Sequence, residues 1–155
     1  MDSDDVLERL RSESGLSIDR DGRFLHRGEP ITHARTLEVL WSSLTRVPDG
    51  RYLVRIGRES GYVTIDDAPY AVRGVLDGDG VPVLVLSDGT RESLDPATLA
   101  VDGEGVLRCV VKGGHAARFT RAAQVALGLM LDEDPPGSGT LTLTVRGRRW
   151  PVRKA

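Results

Sequence analysis

The chain has 155 residues, 39% of them hydrophobic and 28% charged, with a formal charge of -2. That is enough chain to bury a core, and we expect one compact protein of ordinary globular composition. Nothing in the global charge attracts nucleic acid or an anionic membrane surface, and neither partner is expected. Charge is nevertheless uneven along the chain. Asp2, Asp4, Asp5, Glu8, Glu13, Asp19 and Asp21 crowd the start, whereas Arg146, Arg148, Arg149, Arg153 and Lys154 occupy an acid-free end.

From Asp4 to Glu13, Val6, Leu7 and Leu10 fall at helical spacing, so a short helix is predicted within residues 1–15, ended by Gly15. This acidic start lacks the apolar core of a signal peptide, and no apolar run is long enough to span a bilayer. The expected location is the cytoplasm.

"LSIDRDGRFLH" (16–26) alternates apolar and polar residues around Asp21-Gly22, which reads as a hairpin. Thr32 is a candidate N-cap. From His33 to Thr45, the residues Ala34, Leu37, Leu40, Trp41 and Leu44 mark one apolar helix face. "RYLVRIG" and "GYVTIDD" then read as a strand pair, and "YAVRGVL", "VPVLVL" and "RESL" as strands joined by glycine turns.

From Leu99 onward the order recurs. "LAVDGEGVLRCVV" is strand, glycine turn, strand, with Asp102 answering Asp19 and Gly105 answering Gly22. A helix is expected from about Ala116 to Leu131, with Phe119, Ala122, Val125, Ala126 and Leu129 on its buried face. "TLTLTVRG" and "RRWPVRK" close the chain as a hairpin. The predicted fold is α+β: two related β-hairpin/helix/β-hairpin units, 16–76 and 99–155, joined by connecting strands at 77–98. Each antiparallel sheet would be covered by its own helix.

Several separated motifs of the first unit carry more than architecture. "LSIDRDGRFLHRGEPI", a helix bearing Leu and Trp, "PDGRYLV" and "VTIDDAPYAV" arrive in an order that resembles the bacterial family called domain of unknown function 1285. The match is clear from Leu16 to Leu76 and elsewhere extends only to the order of elements. The resemblance implies an α+β fold with repeated structural motifs and no established biochemical activity. A role in signal transduction has been suggested for the family. Its members often carry Thr-Pro-x-Glu after the "LV" strand. Here "RIGRE" follows Val54, leaving Glu59 as the candidate for that glutamate, one residue out of step.

Chemistry-bearing residues are sparse. Cys109 is the single cysteine and sits in a strand-like run, which excludes a disulfide or a zinc-thiolate set and points to a buried, inert thiol. His26, His33 and His115 are too dispersed for a metal site, and "DRDG" and "DGDG" lack the spacing of a calcium loop. No phosphate-binding glycine loop, dinucleotide fingerprint or nucleophile elbow is present, so no cofactor, metal or catalytic residue is assigned. Asp66-Asp67 reads as a corner before Pro69, since neighbours on a strand point to opposite faces.

Charged turns are different, because charge in a turn is not needed for folding and recognition tends to reside in loops. Arg55, Arg58, Glu59, Asp66, Arg146 and Arg148 are therefore the candidate ligand-binding residues. Forked arginine donors suit a carboxylate or phosphate, especially where equivalent loops face one another across a seam. The expected function is a non-enzymatic binding or regulatory module whose partner is a protein or an anionic small molecule. Two other readings stand beside it. One is an enzyme using Glu59, Asp66 or a histidine in a cleft between the units, and the other is a structural assembly module.

Overall fold

Two acid-led turns organise the chain. The computed structural model describes residues 13–155, so the helix expected near the start lies outside the described residues. The chain divides into a first unit ending at Pro69 and a second beginning at Tyr70. It is mixed α and β, mostly strand, and none of its described helices is long and apolar enough to cross a membrane.

In the first unit the strands are β1 (Leu16–Ile18), β2 (Phe24–His26) and β3 (Glu29–Pro30), then helix α1 (Ala34–Ser43), then β4 (Thr45–Arg46), β5 (Tyr52–Ile56) and β6 (Glu59–Ile65). They form one sheet in the order β3-β2-β1-β6-β5-β4. The β1–β2 turn is built by Asp19. Its carboxylate accepts the Asp21 and Arg23 backbone N–H groups and the Arg23 guanidinium, while Gly22 takes the left-handed conformation at φ 78°. The expected antiparallel sheet is in fact mixed, because β1 runs parallel to β6 through Leu16↔Val63 and Ile18↔Ile65. The long connection through α1 lets the chain return in the same direction, which a tight turn does not.

Helix α1 starts one residue later than the sequence indicates. The ring of His33, not Thr32, caps it, with Nδ1 accepting the Thr36 N–H at 3.3 Å. A ring nitrogen at the N-cap reaches the same orphan donor that a hydroxyl would. Leu40 is buried, and Leu37, Trp41 and Leu44 pack on the core of Ile18, Phe24, Val54 and Val63. Ala34 faces solvent.

The second unit opens with β7 (Tyr70–Gly78), β8 (Val81–Leu86) and β9 (Arg91–Ser93), followed by a 3-10 turn at Pro96–Thr98. Next come β10 (Ala100–Val101), β11 (Leu107–Val111), β12 (His115–Phe119) and helix α2 (Arg121–Gly128). The chain ends with β13 (Leu131–Glu133), β14 (Leu141–Val145), β15 (Arg148–Pro151) and β16 (Arg153–Lys154). Seven strands pair as β16-β10-β11-β12-β7-β8-β9, and β13-β14-β15 form a smaller sheet. This sheet too is mixed, with β16 parallel to β10 and β12 parallel to β7.

The helix expected at 116–131 is shorter and out of phase. "HAARF" is the strand β12, burying Ala117 and Phe119 at alternate positions between β11 and β7. Alanine favours helix locally, yet two flanking strands satisfy this backbone as sheet and outweigh that preference. Thr120 then caps α2 by accepting the Ala123 N–H. The buried face is Ala123 and Leu127, whereas Val125 is 61% and Leu129 86% exposed.

Asp102 builds the β10–β11 turn. Its carboxylate accepts the Glu104 and Val106 N–H groups and the Arg108 guanidinium, with Gly105 at φ 81°. The Val106 N–H first, then the Arg108 guanidinium, hold the Asp102 carboxyl down at about 2, against an ordinary 3.8. A carboxyl lowered by folding stabilises the fold above the unfolded value and loses that contribution as pH falls through the folded one. Thermal melting should therefore weaken as pH drops from about 4 to about 2. Asp102→Ala should melt lower than the parent at neutral pH, and the gap between them should close near pH 2. A gap independent of pH would show that the carboxylate is not the source.

Candidate functional site

The sequence-selected residues fall into two groups, one in each unit. In the first, Arg55 lies on β5, Arg58 in the β5–β6 turn, and Glu59 begins β6 opposite Ile56. All three are exposed. The Arg55 backbone N–H is held by the Ser43 hydroxyl at 3.0 Å, which ties this hairpin to the end of α1. Asp66 lies just beyond β6, exposed, with the Arg20 guanidinium 3.5 Å away. It belongs to the corner, where its N–H also donates to the Ile18 carbonyl.

Alternation along β5 sends Val54 and Ile56 to the α1 side and Arg55 to the other. A groove of about 470 Å³ lies on that α1 side. Its floor is Leu16, Leu40 and Val54, with Ile31 and Ile56 at the edges and Ser14, His26, Thr36, Glu59, Ser60 and Gly61 around them.

In the second unit, Arg146 and Arg148 flank the tip of the β14–β15 hairpin. Arg146 adopts φ 49°, so a non-glycine residue takes the left-handed turn position beside Gly147. Two residues after Arg148 on an extended strand, Trp150 shares its face, and the Arg148 guanidinium sits 4.1 Å from the indole centroid. Together with Val81, Ser93, Leu94, Pro96 and Val145, these residues line a groove of about 460 Å³. The stem of Arg146 passes close to Gly80, whose added Cβ would lie 3.7 Å from Arg146 Cγ. Among the described residues no carboxylate is paired with either guanidinium, whereas Arg149, on the opposite strand face, is paired with Asp134.

Sequence reasoning selected Arg146 and Arg148 but missed Trp150 and the apolar wall. The i, i+2 relation of Arg148 and Trp150 was available as a signal. Val81, Leu94 and Pro96 are fifty or more residues away in the chain, and no local pattern announces them.

Other polar clusters close on themselves. Asp88 accepts from Lys112 Nζ at 2.6 Å and from the Thr90 N–H and hydroxyl. Burial raises its carboxyl, but these donors outweigh it and hold the group below the usual carboxylate range. Cys109 is buried, and desolvation first, then the nearby Glu92 charge, push its thiol up to about 12. A thiol held so far from thiolate is no nucleophile at neutral pH. Among the described residues no three His, Cys, Asp or Glu side chains are grouped to hold a metal ion.

Two solved structures share this arrangement of strands and helices. A DUF1285 family protein from Silicibacter pomeroyi DSS-3 superposes with a TM-score of 0.71 at 21% identity, covering 92% of this chain and 81% of that one. This chain has the DUF1285 fold. A second DUF1285 family protein, from Shewanella baltica OS155, gives a TM-score of 0.60 at 17% identity, covering 76% of this chain and 92% of that one. No family model and no curated protein matches the sequence. Resemblance to DUF1285 proteins therefore rests on fold, and the site has to be argued from this chain's own residues.

Proposed function

We propose that this chain is a non-enzymatic binding module, built from two copies of one unit, that senses an oxyanion-bearing small molecule in a regulatory setting. The strand order supports the duplication. Reading β3-β2-β1-β6-β5-β4 in the first unit finds its counterpart in β12-β11-β10-β16 followed by β15-β14-β13 in the second. Asp19 and Asp102 supply matched turns, each accepting two backbone N–H groups and one guanidinium. The boundaries proposed are 16–76 and 99–155, with 77–98 between them.

The observation that carries the binding reading is the pair Arg146 and Arg148, without a carboxylate partner among the described residues, at an apolar groove. Stacking on Trp150 removes rotamer freedom from Arg148 before any ligand arrives, so less entropy is lost on binding. Two forked donors at one groove match a carboxylate or phosphate, and the apolar wall takes the rest of the molecule.

The test is a tryptophan-fluorescence titration with inorganic phosphate and with citrate. Arg146→Ala/Arg148→Ala should weaken whichever anion binds by roughly tenfold or more, since a hydrogen bond to a charged group contributes about 1.5–3 kcal/mol. Both side chains are exposed, so melting without ligand should hardly move. Undiminished anion binding by the double variant would sink the reading, and so would equal loss of fold and binding.

A further inference from the structure

The first unit carries a groove of the opposite charge beside the matching hairpin, with different walls. By hairpin register Ile56 faces Glu59 as Val145 faces Arg148, so Glu59 stands where the second unit has an arginine. Two residues on, Gly61 stands where the second unit has Trp150. An acid replaces the base, and no indole fills the space beside it.

The groove at Glu59 holds about 470 Å³, within the range of small-molecule sites. Among the described residues no lysine or arginine lines it, and Glu59 is the single carboxylate that does. The neighbouring cation Arg55 is on the far face of β5 by alternation. Ser14 is committed to the fold, donating to the Tyr62 carbonyl and accepting the Leu16 N–H. Thr36 is engaged with the His33 ring. Glu59 and the His26 ring are left to address a ligand above an apolar floor of Leu16, Leu40 and Val54, because Ser60 pairs with Arg55 and its side chain shares that far face.

We propose that this groove, between α1 and the β5–β6 hairpin, binds a small organic cation whose apolar body covers Leu40 and Val54 and whose ammonium or guanidinium sits on Glu59. An apolar surround strengthens the attraction between unlike charges relative to water. An ammonium brings three donors, of which Glu59 accepts up to two. An anion of the same shape meets repulsion at Glu59, and a neutral molecule leaves the carboxylate desolvated without recompense. The site is separate from the arginine groove, so either proposal stands or falls alone.

The probe is 4-phenylbutylamine, with 4-phenylbutanoate as the same body carrying the opposite charge, followed by nitrogen-15 amide shifts of the full chain. The amine should saturate at millimolar concentration, with shifts centred on Thr36, Ser60 and Gly61, and the carboxylate should bind about tenfold or more weakly. Glu59→Gln should weaken the amine by about tenfold, equivalent to about 1.4 kcal/mol, with an unchanged melting temperature. Gly61→Leu, which adds a side chain to the groove from the strand position opposite Val54, should abolish binding with Glu59 intact. Equal binding of amine and carboxylate, indifference to Glu59→Gln, shifts centred elsewhere, or no saturation at millimolar amine would each overturn the proposal.

Discussion

Phe24→Ala is expected to destabilise the protein by about 3–5 kcal/mol in chemical denaturation. Phe24 is 1% exposed and lies at the centre of the first unit's core, with Ile18, Leu40, Val54 and Val63 around it. Trp41 meets it edge-on, the ring centroids 4.5 Å apart and the planes at 68°. Truncation removes buried ring area and leaves a cavity that four neighbouring elements border and none can collapse into alone. Trp41→Ala should cost less, because Trp41 is only half-buried. The double variant should fall short of the sum of the singles by about 0.5–1.5 kcal/mol, the aromatic contact having been counted twice. A loss below about 1 kcal/mol for Phe24→Ala would mean that this core is not what holds the unit together.

Local chemistry made the first unit readable. Period-two alternation around an aspartate and a left-handed glycine announces the β1–β2 hairpin, and Leu37, Leu40 and Trp41 announce α1. What was not legible is non-local. The parallel pairings β1–β6 and β12–β7 join segments about fifty residues apart, and nothing in either partner's sequence distinguishes a parallel neighbour from an antiparallel one. The sequence of β12 reads as helix because "AAR" suits a helix in isolation, and only β11 and β7 decide otherwise. The site divides along the same line. Arg146, Arg148 and Glu59 stand out as charge in turns, but a groove is made by what faces them. Val81 and Leu94 in one unit, and Leu16 and Leu40 in the other, come from distant chain.

Helix α2 gives the sharpest separation between sequence and fold, because two leucines two residues apart exchange the roles their spacing assigns. Leu127→Ala should cost about 2–5 kcal/mol, whereas Leu129→Ser should stay within about 0.5 kcal/mol. Periodicity counted from Phe119 puts Leu129 on the buried face and Leu127 off it. The count fails because Phe119 belongs to β12, and the helical phase starts only at the Thr120 cap. From that cap, Ala123 and Leu127 are one turn apart on the side that packs against β7 and β12. Both are 0% exposed, and the small Ala123 lets the helix approach the sheet closely enough for Leu127 to be enclosed. Leu129 follows the last helical residue and is 86% exposed, so removing its side chain returns little apolar area to water. Thermal or urea unfolding of the two variants side by side decides the matter. Losses of similar size would mean that α2 is rotated from the placement described, and a larger loss at Leu129 would restore the face that the periodicity predicts.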